Sequence, residues 1–531
     1  MSRLFSIVIL SQRRRISRLM RSFAALRMTF LAMTIALSAC SLAPDFKVPE
    51  MNPPAVFKEQ PAEDVASPGL WKTAMPFENC HRGAWWKMFD DAPLDVLELQ
   101  AEAANPSLKA ASARVEEARA LVRSKAASFL PNMDISGNAV RAKPSSASLA
   151  AFGGNPNAVL KPYTLYSAQG SASYEADLFG RVRDTEKSFF HNAEAEDATY
   201  RSVLLMLQAD VAQHYFSLRA LDAERKLLRD TIGLRQEAAR IMQKRYEAGA
   251  AGEQDSSRTQ SELASTEAGL LMLDRQRATL EHALAVLLGQ MPSDFSIAEV
   301  PLEGFPQEIR AGIPSALLER RPDIAAAESA MAAANARIGV ARAAFFPNLS
   351  LTASGGYEST ALEDIFNWSG RTWALGQLAG SALSWNLFDS GRNFGKLDAA
   401  KAAYEEAVAQ YRQQVLIAFR EVEDNLSDQR LLAAQSLKLD SAASAAERTT
   451  ELTRKRYEEG EVNYFEVIDE QRTSLAANRA AVQTRGQRFL TAIALIRALG
   501  GGWGGGDRDA AEDVTEVPEP PQPVFGNDVK N

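Results

Sequence analysis

The chain has 531 residues, 46% of them hydrophobic and 24% charged, and a net charge of −8. This is the composition of a folded protein, and its acidic balance removes the basis for a phosphate-gripping, nucleic-acid-binding surface. Its two cysteines exclude a disulfide framework. Length alone points to three or four domains, but most of the chain is one unit of about 210 residues written twice.

Residues 1–39 read as a secretory signal. Arg13, Arg14, Arg15, Arg18, Arg21 and Arg27 precede a short apolar run from Met28 to Leu37, too short for a spanning helix, and Leu37-Ser38-Ala39-Cys40 closes it. The basic stretch is long enough that Met20 is an alternative start. Leu-Ser-Ala-Cys resembles the lipobox of bacterial lipoproteins, which implies that Cys40 is lipidated and becomes the first mature residue. Ser41 stands where, by resemblance to enterobacterial lipoproteins, an aspartate would retain the protein at the inner membrane, so an outer-membrane location is expected.

Residues 40–92 form an extended segment. Pro44, Pro49, Pro53, Pro54, Pro61 and Pro68 prevent a helix, and Trp85-Trp86 ends the stretch. With Cys40 acylated, Cys80 has no disulfide partner. His81 beside it makes a poor metal site, because no further Cys or His stands nearby. His191, His214 and His282 are scattered, and no Ser-His-Asp order, P-loop or glycine-rich phosphate cradle is visible, so neither an enzyme nor a cofactor is expected.

Residues 93–308 form the first repeat. Pro93 opens an alanine-rich helical stretch to about Leu130; Asn105-Pro106-Ser107 and Phe129-Leu130-Pro131-Asn132 are echoed 216 residues on by Arg321-Pro322-Asp323 and Phe345-Phe346-Pro347-Asn348. After Pro131 the period becomes two. Met133, Ile135, Gly137 and Ala139 alternate with polar residues, and beyond a Pro/Ser/Gly/Asn loop the same holds for Tyr166, Ala168, Gly170, Ala172, Tyr174, Ala176 and Leu178. One face of this hairpin suits lipid and the other water. A helical hairpin follows, residues 183–245 joined to 254–289, with Tyr200, Leu204, Leu207, Val211, His214, Leu218 and Leu221 spaced as a coiled-coil seam.

Residues 309–503 repeat this plan, with strands at Leu349–Tyr357 and, less regularly, about Trp373–Leu387, then helical arms at 394–456 and 465–499. The seam returns as Tyr404, Val408, Tyr411, Val415, Ala418 and Val422. The turn Lys244-Arg245-Tyr246-Glu247-Ala248-Gly249 returns 211 residues later as Lys455-Arg456-Tyr457-Glu458-Glu459-Gly460, with each glycine where a helix C-cap belongs. Each copy supplies only two strands; alternating strands also form the half-buried sheet of a soluble protein, but if these span a membrane, four cannot close a barrel and several chains must share one. Residues 504–531 have the composition of a disordered tail.

Lipobox, Cys40-Ser41-Leu42-Ala43-Pro44-Asp45-Phe46, Trp85-Trp86, the strand-hairpin ends Asp177-Leu178-Phe179-Gly180-Arg181 and Leu387-Phe388-Asp389-Ser390-Gly391-Arg392, and the doubled helical hairpins together resemble the outer membrane efflux protein (TolC-like) family. Within it they resemble the lipoprotein branch that serves resistance-nodulation-division (RND-type) drug pumps. The resemblance spans about residues 40–503 and implies an α+β membrane protein: a homotrimer with a twelve-stranded outer-membrane β-barrel continued by a periplasmic α-helical barrel. It also implies the partners, namely a periplasmic membrane-fusion adaptor docking on the tip residues Arg245, Tyr246, Gly249, Arg456, Tyr457 and Gly460, and through it an inner-membrane pump. A closed aperture is expected near that end, with Asp424 as its acid and Glu421 and Arg420 as a second acid or a locking salt bridge. The implied role is a passive exit duct for small amphipathic compounds; a protein-secretion duct of the same shape and a non-conducting, lipid-anchored envelope coiled coil are the alternatives.

Overall fold

A computed structural model describes residues 41–51, 54, 56–59, 84–143, 161–307, 309, 318, 320–375 and 381–501. Cys40, Cys80, His81 and the C-terminal tail lie outside the described residues. In chain order the elements are α1 (Ala92–Ala104), α2 (Pro106–Ala126), β1 (Asn132–Ala142), β2 (Tyr163–Ala176), α3 (Arg181–Glu247), α4 (Glu253–Leu287), α5 (Pro322–Ala343), β3 (Asn348–Ser359), β4 (Arg371–Leu375), β5 (Ser381–Ser384), α6 (Arg392–Glu458) and α7 (Tyr464–Ala498).

The duplication is carried into the element lengths. α3 and α6 each have 67 residues, α4 and α7 each have 35, and every boundary of the second pair lies 211 positions after that of the first. At about 1.5 Å per residue the long helices run about 100 Å. The helical stretch expected from Pro93 to Leu130 is in fact broken at Asn105, because the following Pro106 disfavours helical backbone there. Asn105 caps α2, its Oδ1 accepting from the Ser107 and Leu108 amides at 2.8 and 3.0 Å, while its Nδ2 donates to the Leu287 carbonyl that ends α4. Arg321, at the matching place in the second repeat, donates to the Ala498 carbonyl that ends α7 at 2.9 Å. The duplicated X-Pro motif thus ties each short helix to the end of its own helical hairpin.

The chain divides into two compact units, one of residues 1–51, 111–200 and 323–414 and the other of residues 52–110, 201–322 and 415–531. The first contains the whole sheet. β1, β2 and β3 pair antiparallel in that order, and β4 and β5 both pair antiparallel with β3 on its other side. Residues 376–380 lie outside the described residues, and β5 stops at Ser384 rather than Leu387.

Register joins like with like. Ile135, Gly170, Gly355 and Trp373 stand side by side across the sheet, as do Met133, Ala172, Ala353 and Leu375, while Ser136, Gln169 and Gly356 fall on the opposite face. On the polar face Gln169 donates to Glu358 at 3.0 Å. On the apolar face Ile135 is 94% exposed, Met133 80% and Trp373 78%. One face of this sheet is therefore greasy and uncovered, and among the described residues β1 has a partner on one side only.

In the second unit burial departs from a narrow coiled-coil stripe. On α6 the expected seam holds at Val415, Ala418 and Val422 and continues to Leu426, while Tyr411, also buried, belongs to the first unit. On α3, Leu207, Val211 and Leu218 are buried, but so are Ala209, Ala212, Tyr215, Phe216, Asp222, Glu224 and Arg225. The face is wide because α3 is contacted from several sides: Trp85 Nε1 donates to Gln208, Tyr215 to Asp91, Arg225 pairs with Asp274 of α4, and Phe216 stacks on Phe489 of α7. His214 turns onto its own helix, with Nδ1 2.7 Å from the Asp210 carbonyl oxygen.

Candidate functional site: helical tip, acidic stretch and N-terminal clamp

The two repeated turns end α3 and α6 with the same hydrogen bonds. Ala250 N–H reaches the Arg245 carbonyl at 2.7 Å and Gly249 N–H the Tyr246 carbonyl at 2.9 Å; Glu461 and Gly460 do the same to Arg456 and Tyr457 at 2.8 and 3.0 Å. This is a Schellman cap, and it sets Gly249 at φ +69° and Gly460 at φ +78°. A Cβ added to either glycine would meet nothing within 4 Å. Backbone sign, and not crowding inside the chain, is what requires glycine here.

The side chains of the two turns are wired differently. Arg245 donates to the Tyr457 hydroxyl and lies 5.9 Å from its ring centroid, and Tyr457 in turn contacts Tyr464 at 5.2 Å. Arg456 pairs instead with Glu461 at 3.1 Å, and Tyr246 remains 40% exposed. Position 250, the counterpart of 461, is alanine, so Arg245 has no equivalent acid and reaches across to the second hairpin. Beside this contact a groove of about 680 Å³ opens between α3, α6 and α7, lined by Leu234, Ile241, Arg245, Tyr457 and Val467 among others.

Asp424 is not brought to this tip. It lies 34 residues before the end of α6, about 50 Å along the helix. It is solvent-exposed and faces Arg420 on its own helix, Nε to Oδ2 3.9 Å. The neighbouring acids are engaged by other elements: Glu421 pairs with Arg321 at 2.7 Å, and the Glu423 carboxylate accepts from the backbone amides of Lys58 and Glu59 at 2.8 and 3.0 Å. Arg420 and Glu421 thus each take part in an ion pair, with Asp424 and with Arg321 respectively. Exposed acids do stand at the tip, among them Glu466 and Asp469 in the first turns of α7.

A third constellation was not legible in the sequence. In the first unit, residues 41–44 are held between the start of α3 and the end of α5. Ser41 Oγ donates to Asp184 at 2.6 Å, Arg342 donates to the Leu42 carbonyl at 3.0 Å, and Asn335 donates to the Pro44 carbonyl at 2.8 Å. Gly339 makes room for this: a Cβ there would lie 2.1 Å from Asp184 Oδ2 and 2.8 Å from the Ala43 nitrogen. Asp184 is fully buried, and desolvation pushes its carboxyl above the ordinary range. The clamp sits where β2 runs into α3 and α5 runs into β3.

With this geometry in hand, comparison with known proteins is decisive. The family described as "Outer membrane efflux protein" matches residues 99–290 and 313–501, one match per repeat. The chain belongs to the outer membrane efflux protein family. Among its relatives, the toluene efflux pump outer membrane protein TtgF of Pseudomonas putida is 32% identical over 477 residues, covering 89% of this chain and 96% of that protein. The cation efflux system protein CusC of Escherichia coli K12 is 29% identical over 473 residues, covering 88% and 98%. The solved outer-membrane channel OprN superposes with a TM-score of 0.76 at 29% identity, covering 87% of this chain and all of that one. The duplicated unit of strand hairpin and long helical hairpin is thus the fold of outer-membrane efflux channels.

Proposed function

We propose that this outer membrane efflux protein is the exit duct of a tripartite pump: a homotrimer in which three four-stranded sheets share one twelve-stranded barrel, continued by the long helices into the periplasm. The observation that carries this reading is the sheet, with an uncovered apolar face, a polar face and a one-sided β1, on a chain whose helices run about 100 Å. Such a sheet is stable only if lipid covers the face and further strands cover the edges. Substrate moves passively, and the driving energy comes from an inner-membrane pump through a periplasmic adaptor. The adaptor docks at the Gly249 and Gly460 turns, where the open space around both glycines and the adjoining groove accommodate an incoming helical hairpin.

Cys40 is the lipid attachment site in this reading. The clamp on residues 41–44 supports it, since it seats the chain just after Cys40 at the sheet–helix junction, where the membrane boundary would lie. Asp424, repeated three times, forms an acidic ring at mid-helix that favours cations. The cargo is small amphipathic compounds; relatives named for toluene and for cations are similar to this chain to nearly the same degree, so cargo is set by the pump and adaptor. The test is complementation. In a strain lacking its own exit duct but retaining pump and adaptor, the wild-type gene should restore resistance to amphipathic dyes and detergents, and the Gly249→Trp/Gly460→Trp variant should not. No restoration with a properly inserted wild-type protein, across several pump–adaptor pairs, would overturn the reading.

A further inference from the structure

The first strand hairpin ends, on the side away from the helices, in charges of one sign. Between Asp134 and Glu175 the only charged residues are Arg141, Lys143 and Lys161, all basic. The register of β1 with β2 closes at Ala142 and Tyr163. Arg141 stands beside Thr164 within it, and Lys143 and Lys161 lie just beyond the last pair, so the three gather at the loop end of the hairpin. All three are solvent-exposed, and among the described residues none is ion-paired.

Charges elsewhere on the sheet are placed differently. Next to the helices, Glu175 is paired with Arg181, and Asp177 accepts from the Val182 and Arg183 amides at 3.1 and 2.9 Å, so these charges are satisfied inside the chain. At the loop end of β3 and β4 the balance is acidic, with Glu358, Glu363 and Asp364 against Arg371. Arg371 is turned onto Trp368, donating to its carbonyl at 2.9 Å with the guanidinium over its ring.

Face and height decide what can reach the basic cluster. The apolar face of β1 carries Met133, Ile135, Gly137 and Ala139, and the alternation puts Arg141 next on that same face; on β2 the face runs through Ala172, Gly170, Ala168 and Tyr166 to Thr164. The greasy surface therefore stops at the Ala139–Tyr166 pair and turns polar at Arg141–Thr164. From Met133 to Arg141 the strand rises about 26 Å at ~3.3 Å per residue. Tilted by about 40°, that gives about 20 Å of height, against an apolar band of roughly 25 Å in a membrane barrel. Arg141 thus sits at the level of lipid headgroups, with Lys143 and Lys161 farther out. Because α2 and α3 adjoin the opposite ends of β1 and β2, this level is the one remote from the helices.

We propose that Arg141, Lys143 and Lys161 form a binding site for the phosphate groups of an anionic lipid in the outer leaflet. The inference rests on the trimeric-duct reading, which sets this end of the sheet outward in the outer membrane, and adds a lipid partner to it. A guanidinium grips phosphate with two parallel N–H donors, and the two ammonium groups beyond it complete the neutralisation of a multiply charged headgroup. The apolar face that ends at Tyr166 takes the acyl chains of the same lipid. Charge complementarity selects this headgroup over a zwitterionic one.

The test uses the acylated, detergent-purified protein with lipid A, an acylated glycolipid carrying phosphates, and with the same glycolipid stripped of them, binding being read by native mass spectrometry at matched concentrations. Wild type is expected to retain the phosphorylated form in preference. Arg141→Gln, Lys143→Gln and Lys161→Gln should each weaken that binding about fivefold, and the triple variant on the order of a hundredfold. Trimer mass and binding of the stripped glycolipid should not change. Lys109→Gln/Arg114→Gln/Arg123→Gln, which removes the same charge from exposed positions of α2, should bind as wild type does. A wild-type trimer that holds both glycolipids equally, or a triple variant that keeps the preference, overturns the lipid site and leaves the duct intact; should the triple variant not assemble, the same preference kept by all three single variants does so. Displacement of lipid A by an equal concentration of inorganic pyrophosphate overturns a lipid as the occupant. A wild-type protein that is monomeric and conducts nothing overturns the duct reading itself.

Discussion

A substitution series at Gly460 separates a helix cap from a docking surface. The residue sits at φ +78°, where an L side chain costs about 1–2 kcal/mol, and an added Cβ meets nothing within 4 Å. The cost to the fold is therefore set by backbone conformation alone and does not grow with side-chain size. Gly460→Ala, Gly460→Gln and Gly460→Trp should all lower Tm by similar amounts, no more than about 4 °C. Export, read as resistance to an effluxed dye in a complemented strain, should instead fall with size, because only an approaching partner backbone notices the added bulk. Cross-linking to the adaptor should fall in the same order. If Gly460→Trp exports as well as Gly460→Ala, no partner backbone approaches this turn and the glycine serves only to end α6.

Further predictions concern buried and exposed acids. Glu98 is fully buried, both its carboxylate oxygens lack a partner, and desolvation together with Glu102 and Asp95 pushes its pKa up to about 10. The folded chain thus holds a proton that the unfolded chain releases above about 4.5. Its contribution to stability is full at low pH and is lost as pH rises toward 10, at a cost of about 3 kcal/mol by pH 7. Glu98→Gln should therefore raise Tm at pH 7–8 and flatten its fall between pH 5 and 9, and an unchanged slope would contradict the protonated state. Gly339→Val should expel residues 41–44 from beside Asp184, seen as faster hydrogen exchange there while mass spectrometry still finds Cys40 acylated; unchanged exchange would refute the clamp. Asp424→Ala should raise conductance or weaken cation preference in planar bilayers if the acidic ring lies at mid-helix. If only Glu466→Ala and Asp469→Ala do so, the constriction is at the tip.

Much of this architecture was legible because the chain repeats itself. The 211-residue echo of the Arg-Tyr-Glu-x-Gly turn located both helical hairpins, and the alternation at Met133–Ala139 and Tyr166–Ala176 located the strands, since a period of two leaves a face that the pleat must honour. The wide burial of α3 was hidden, because Asp222, Glu224 and Arg225 are polar in sequence and are buried against partners from distant segments, Arg277, Arg479 and Asp274. The clamp was hidden for the same reason: Ser41, Asp184 and Gly339 stand far apart in the chain, and nothing local marks Gly339 as a place of close approach. The break at Asn105 was written in Asn105-Pro106, where the proline marks a helix boundary that the alanine-rich composition around it obscured. The position of Asp424 along its helix was the least legible of all. A single exposed aspartate on a 67-residue helix carries no local sign of its height above the tip.

The central claim is that several copies of this chain enclose a pore. The most direct test is single-channel recording of the acylated, detergent-purified protein in a planar bilayer, with the oligomeric mass of the same sample determined in parallel. A trimer that conducts, even with a small, cation-selective closed-state current, is the predicted result. A monomer or a two-stranded coiled coil that conducts nothing would contradict it.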